Sequence, residues 1–303
     1  MLQFISRRII STIFMCIAIA YFGFLGMRLI ERTDADEPEF SVAEAFSLAG
    51  EDALQLAALL RQGTLGMTET IAGPRPISEI LWFSYKNSLG LLLIALLNAG
   101  IIGLLVGTLA ALGKRKWRTY VLLLITIVGI SAPSYLIALL LQQAGILYTV
   151  NFGRRLVSMG GFAWDFQHMA MPLLVLAARP VAYLTRSSYI SLGRIMEEDY
   201  IRTALAKGLT RSRTVWIHAF GNLAIPLLTA VGVSIRFSLS ALPLVEYIFA
   251  WPGVGQRILE AINERNALLV VVIALAIGLT IQLISFLLDF TYYFVDPRVR
   301  ERT

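Results

Sequence analysis

The chain has 303 residues, 57% of them hydrophobic and 15% charged, with a mean hydropathy of +0.72. Soluble domains carry roughly 25% charged residues, so this composition excludes one and indicates an integral membrane protein. The net charge of +6 does not indicate nucleic acid, because the basic residues are scattered between apolar runs, as a positive membrane face requires.

A bilayer core of about 30 Å takes about 20 helical residues to cross. Six segments meet that length, at about 9–30, 87–112, 120–147, 169–190, 223–245 and 267–295. The expected fold is therefore an all-α membrane protein of six transmembrane helices. The first run follows Arg7-Arg8, as in a signal peptide, but its length and the lack of an A-x-A-like site after it favour an uncleaved span. It holds the one cysteine, Cys16, which leaves no intrachain disulfide.

Residues 31–86 form a polar insertion. It opens on Asp34, Asp36, Glu37 and Glu39 and continues as an amphipathic helix near 42–60, with Ala45, Leu48, Leu56, Leu59 and Leu60 as its apolar positions. It ends in the turn signals Gly63, Gly66 and Gly73-Pro74-Arg75-Pro76. Residues 87–303 make a five-helix core with a polar loop at 194–226. In that core Gly103-x-x-x-Gly107 permits close helix approach. Pro133, Pro172, Pro180, Pro226 and Pro243 fall in or near spans, where neighbouring helices can satisfy the carbonyls they leave free.

Orientation follows from Lys and Arg. One side carries Arg7, Arg8, Lys114, Arg115, Lys116, Arg118, Arg194, Arg202, Lys207, Arg211, Arg213, Arg298, Arg300 and Arg302, fourteen in all, against nine on the other side in longer loops. The positive-inside rule then places both termini in the cytoplasm and makes residues 31–86 extracytoplasmic.

Enzymatic signatures are missing. There is no G-x-x-x-x-G-K-[ST], no H-E-x-x-H and no G-x-S-x-G. No metal site is expected, and no cofactor is expected in this chain. His168 and His218 fall on opposite sides of the expected membrane. Asp165 and His168 sit one helical turn apart and read as a solvated interfacial pair. Arg179, Arg186, Arg236 and Asp289 lie in or near apolar segments, where charges usually face water or the bundle interior. Arg186 and Asp289 are close enough to span ends to snorkel. Arg179 and Arg236 sit deeper, and they either line a polar path that attracts a carboxylate or pair with each other or another subunit.

The polar loop holds the most specific motif. Glu197, Glu198 and Asp199 precede Arg202, Lys207, Arg211 and Arg213, an order that suits a helix dipole. Gly208 stops the first helix and Thr210 caps the next, which gives two short helices at an angle. Composition alone favours a plain amphipathic loop on lipid headgroups.

Asp199-Tyr200-Ile201-Arg202-Thr203-Ala204-Leu205-Ala206-Lys207-Gly208-Leu209, followed by His218-Ala219-Phe220-Gly221-Asn222-Leu223-Ala224-Ile225-Pro226, resembles the EAA loop of ABC importer permeases. The nearest pattern is D-Y-[VI]-R-T-A-x-A-K-G-L, that of the dipeptide, oligopeptide and nickel permeases. Val245-Glu246-Tyr247-Ile248-Phe249-Ala250-Trp251-Pro252-Gly253-Val254-Gly255 resembles the same family's segment after the fifth span, and Asp296-Pro297-Arg298-Val299-Arg300 resembles its chain end. Departures are Arg202-Thr203-Ala204 in place of Glu-Ala-Ala, and Ile235-Arg236-Phe237-Ser238-Leu239-Ser240 in place of a small, glycine-rich run.

The resemblance implies a cytoplasmic-membrane permease for peptides or related solutes. Nickel chelates, opines and oligosaccharides stay open as substrates, and an ATP-independent channel or carrier as a different class. Implied partners are a second homologous permease, two ATPase subunits that carry ATP and magnesium, and an extracytoplasmic solute-binding protein. The coupling surface would be Asp199, Arg202, Ala204, Lys207, Gly208 and Arg211, with Ala204 allowing close approach to the ATPase. Arg179, Arg236 and Glu246 would border the translocation path. Trp251, Pro252 and Gly253 would form an outer-mouth turn, with Trp251 at the membrane interface.

Overall fold

The computed structural model describes residues 2–34, 42–70, 73–113 and 116–295. Asp36, Glu37, Glu39, Lys114, Arg115 and the closing motif at 296–300 lie outside the described residues, as do the side chains of Asp34 and Arg211. The chain divides into two compact units. One contains residues up to 88 together with 252–287, and the other residues 89–251 and the segment after 287.

The first unit begins with α1 (Leu2–Asp34) and α2 (Val42–Arg61). Ala45, Ala49 and Leu56 are spaced to share one face of α2 and are buried. Arg28 of α1 grips Asp52 of α2 through Nε at 3.0 Å and a terminal nitrogen at 2.9–3.1 Å, a fork matched to a carboxylate. A two-stranded hairpin follows, β1 (Met67–Thr70) and β2 (Gly73–Pro76), antiparallel with Met67 opposite Pro76. The insertion therefore holds the expected helix and the turn at Gly63, whereas Gly73-Pro74-Arg75-Pro76, expected as a turn, is corrected to the strand β2 of a short hairpin. α10 (Val254–Asn263) and the first two-thirds of α11 (Ala267–Val295) complete this unit. Its core joins Phe24 and Met27 of α1 to Leu269, Val271 and Ile273 of α11.

The second unit is built on α6 (Phe166–Ile195) and α9 (Phe220–Ile248), joined by α4 (Lys116–Ser131), α5 (Ser134–Phe152) and most of α3 (Ile77–Leu112). Leu91, Ala95 and Ala99 of α3, Val175 and Leu176 of α6, and Ala230, Leu242 and Val245 of α9 share one core. Gly103 and Gly107 lie against α6. A Cβ on Gly103 would stand 2.6 Å from Leu184 Cβ, and one on Gly107 would stand 2.5 Å from the Thr185 carbonyl oxygen. The glycine pair thus permits a backbone-to-backbone crossing.

Among the described residues, six helices are long and apolar enough to cross a membrane. The expected third span at 120–147 is corrected: it is two helices, α4 and α5, broken at Ala132-Pro133. Pro133 has no N–H and its ring excludes a helical preceding turn. Of the two, Ser134–Phe152 has spanning length and Thr119–Ser131 is shorter. Hydropathy runs continuously across the break, so only the proline marks it.

The prolines inside α6 behave as expected. Pro180 cannot donate to the carbonyl of Leu176, four residues earlier, and that oxygen instead accepts from Ser238 Oγ of α9 at 3.1 Å. A similar repair holds the α4 terminus, where Arg179 Nε donates to the Ile130 carbonyl at 3.1 Å.

Candidate functional site

The polar loop folds as α7 (Asp199–Ala206), a left-handed glycine, α8 (Arg211–Thr214) and a five-residue π segment (Val215–Ala219) that runs on into α9. Asp199 lies in the first turn of α7, where a negative charge meets the positive helix end. Gly208 has φ +85°, a conformation costly for any residue with a Cβ. Thr210 Oγ1 accepts from the Arg213 N–H at 3.4 Å and so starts α8. The two expected short helices are corrected in one respect. The second is the foot of the long α9 helix, because no breaker separates Thr214 from Phe220. Trp216 and Phe220 stack at 4.5 Å, four residues apart across the π segment.

α7 has two faces. Ile201 is fully buried with Leu192, Val215, Ala219 and Leu223. Asn222 Nδ2 donates to Tyr200 Oη at 2.7 Å, so a hydrogen bond and an apolar cluster both tie α7 to α9. Arg202, Thr203, Ala206 and Lys207 are exposed. Asp199 and Arg202 approach to 3.6 Å but are 97% and 70% exposed, so their pairing adds little stability. The expectation that Ala204 faces a partner is corrected. It is 6% exposed, because it lies one turn after Ile201 on the inward stripe. Of the expected coupling residues, the structure presents Asp199, Arg202, Lys207 and Gly208 outward together.

The segment after α9 is a packed turn. Glu246 is fully buried, and its carbonyl accepts from the Trp251 N–H at 2.8 Å. Trp251 is also fully buried, edge-on to Phe162 at 4.9 Å and to Trp164 at 5.1 Å. Its expected place at the membrane interface is therefore corrected: two aromatic rings from the α5–α6 connection enclose it. Ala250, with φ 51°, makes the left-handed step, whereas Gly253 is extended and precedes α10. The α5–α6 connection is pinned to the end of α9 by Gly161 N–H on the Phe249 carbonyl at 2.9 Å. Gln142 Nε2 adds bonds to the Met159 and Ile248 carbonyls. Sequence reading misses Gln142, Phe162 and Trp164. Gln142 carries a signal, as an amide inside an apolar run, while the aromatics have none without their distant partner.

Arg179 and Arg236 do not pair with each other among the described residues. The Arg179 guanidinium stacks 4.6 Å above the Phe237 ring, and Arg236 is exposed on α9. Asp165 caps α6, accepting from the His168 N–H at 2.9 Å and meeting His168 Nδ1 at 2.8 Å. Those bonds hold its carboxyl below the usual aspartate range. Among the described residues, no group of three His, Cys, Asp or Glu side chains is arranged to hold a metal.

Residues 103–301 match the family of binding-protein-dependent transport system inner membrane components. The chain is 30% identical to a di/tripeptide transport system permease protein of Pseudomonas aeruginosa, over all of both sequences. It is 31% identical to a dipeptide transport system permease protein of Alkalihalophilus pseudofirmus, covering 80% of this chain and 78% of that one. It is 29% identical to a glutathione transport system permease protein of Salmonella choleraesuis, covering 79% and 76%.

Proposed function

This chain belongs to the family of inner membrane components of binding-protein-dependent transport systems, and on that premise we propose that it is a permease subunit of an ATP-driven importer of short peptides. The peptide class rests on the named substrates of its relatives. Binding-protein-dependent transport involves a solute-binding protein and an ATPase. The finer assembly, with a second homologous permease enclosing the path and two ATPases carrying ATP and magnesium, is part of the proposal. So is the placement of both termini and α7 on the cytoplasmic side, which the Lys and Arg asymmetry supports.

The observation that carries the reading is the two-faced build of α7. Its inner face is joined to α9 through the Ile201 cluster and the Tyr200–Asn222 hydrogen bond, with Ala204 buried on the same side. Its outer face offers Asp199, Arg202 and Lys207, and Gly208 turns the chain beside them. Seated in a groove of an ATPase, this helix transmits the partner's movement to α9 as one body. Import then requires that ATP favour one conformation of the whole assembly over another.

The test is reconstitution of the complete transporter in proteoliposomes with labelled dialanine. The reading expects uptake that needs both ATP and the solute-binding protein. Uptake independent of ATP would reassign the chain to a channel or carrier.

A further inference from the structure

The outward residues of α9 differ from those of a helix that faces lipid. Asn222, Thr229, Arg236, Ser240 and Tyr247 are all exposed. They recur at steps of seven, seven, four and seven, so on a helix turning about 100° per residue they fall within an arc of about 40°. The stripe runs about 37 Å, the length of a membrane crossing. On α3 the comparable exposed positions are Leu93, Leu97, Ile101, Leu105 and Leu109, which suit hydrocarbon. The far side of α9 presents Val231, also exposed.

Arg236 is the charge on this stripe. Among the described residues it has no hydrogen-bond or ion-pair partner. α4, α5 and α6 contain no Asp or Glu, and the one acidic residue of α9, Glu246, is fully buried and ten positions away, about 15 Å along the axis. Asp289 of α11, next to the Leu288 that packs at Gly232, makes no ion pair with Arg236 among the described residues. The second guanidinium at this level, Arg179, adds positive charge above the adjacent Phe237 ring. An arginine inside a span faces water or a counter-charge, and the planar guanidinium fork fits a carboxylate.

We infer that Arg236, from its place on the α9 stripe, selects solutes bearing a free carboxylate, the end group of a peptide. The inference rests on the import reading above and names the chemical feature this chain recognises.

The test uses the assembled transporter in lipid nanodiscs, with Cys16→Ser removing the native thiol. Thr229→Cys, Ser240→Cys and, on the opposite face, Val231→Cys are labelled with methanethiosulfonate reagents carrying either a sulfonate or a trimethylammonium group. The two stripe positions should react roughly tenfold or more faster than the Val231 position, and Ser240→Cys should prefer the sulfonate reagent. Adding Arg236→Gln should abolish that preference and Arg236→Lys should keep it. Stripe thiols as slow as the Val231 position would show the stripe sealed against another subunit. A charge preference indifferent to Arg236→Gln would equally overturn the inference. Labelling rates do not depend on uptake, so failure of ATP-driven dialanine uptake in the unsubstituted transporter sinks the import reading separately.

Discussion

Asn222 of α9 donates a hydrogen bond of 2.7 Å to the phenol oxygen of Tyr200 in α7. The two residues stand on either side of Gly208 and the π segment, so the bond closes the polar loop on itself. Tyr200→Phe removes it and leaves the Ile201 packing in place. A hydrogen bond of this kind contributes about 0.5–1.5 kcal/mol. The expected outcome is intact assembly with fewer solutes imported per ATP hydrolysed. Coupled uptake and ATPase rates measured on the same proteoliposomes check it, and an unchanged ratio would dismiss the tether.

Gly208 separates two causes of failure. A Cβ there meets nothing within 4 Å, yet φ is +85°. Any substitution effect therefore comes from the backbone. Gly208→Val should cost about 1–2 kcal/mol in the left-handed region, while Gly208→Asn should cost less, because Asn visits that region readily. Co-purification of the ATPase subunits should weaken with Val and persist with Asn. Equal loss in both would mean that the glycine is needed for space at a partner surface.

Local chemistry was enough to read α7: an acidic start, a left-handed glycine and a Thr cap each act within a few residues. The family resemblance located the turn after α9 equally well. Burial was harder to read. Ala204 faces inward because of its phase relative to Ile201, and Trp251 is enclosed by Phe162 and Trp164, nearly ninety residues earlier in the chain. The split of the expected third span escaped hydropathy because Pro133 interrupts hydrogen bonding without altering apolar character. Arg179 looked like a site residue from its charge alone, and its Nε serves a carbonyl left over at that same break.

Asp165 gives a pH dependence of known sign. Its carboxyl is held below the ordinary range, first by the His168 N–H and then by the His168 side chain. A depressed carboxyl stabilises the fold above its unfolded pKa, and that contribution is lost as pH falls through the folded one. The start of α6 should therefore fray on acidification below the ordinary aspartate range. Asp165→Asn keeps an N-cap acceptor and should lose the pH response, while Asp165→Ala should fray at neutral pH as well. Hydrogen exchange at the His168 amide reads this directly, and identical exchange in all three proteins would remove the cap from the account.

Gly107 is where the second unit tolerates least. Its missing Cβ would lie 2.5 Å from the Thr185 carbonyl oxygen and 2.6 Å from Ser188 Cβ, both on the facing stretch of α6. Backbone atoms cannot rotate aside as a side-chain tip can, so Gly107→Ala must push α3 and α6 apart or bend one of them. Overpacking of this kind typically costs about 1–3 kcal/mol. Gly100, one turn before Gly103 on the same helix, has nothing within 4 Å of its would-be Cβ. Gly100→Ala should be neutral or slightly stabilising, since alanine favours helix over glycine. Thermal unfolding of the detergent-solubilised transporter should then show a lower midpoint for Gly107→Ala and an unchanged or higher one for Gly100→Ala. Equal midpoints for the two would mean that α3 does not cross α6 at this distance.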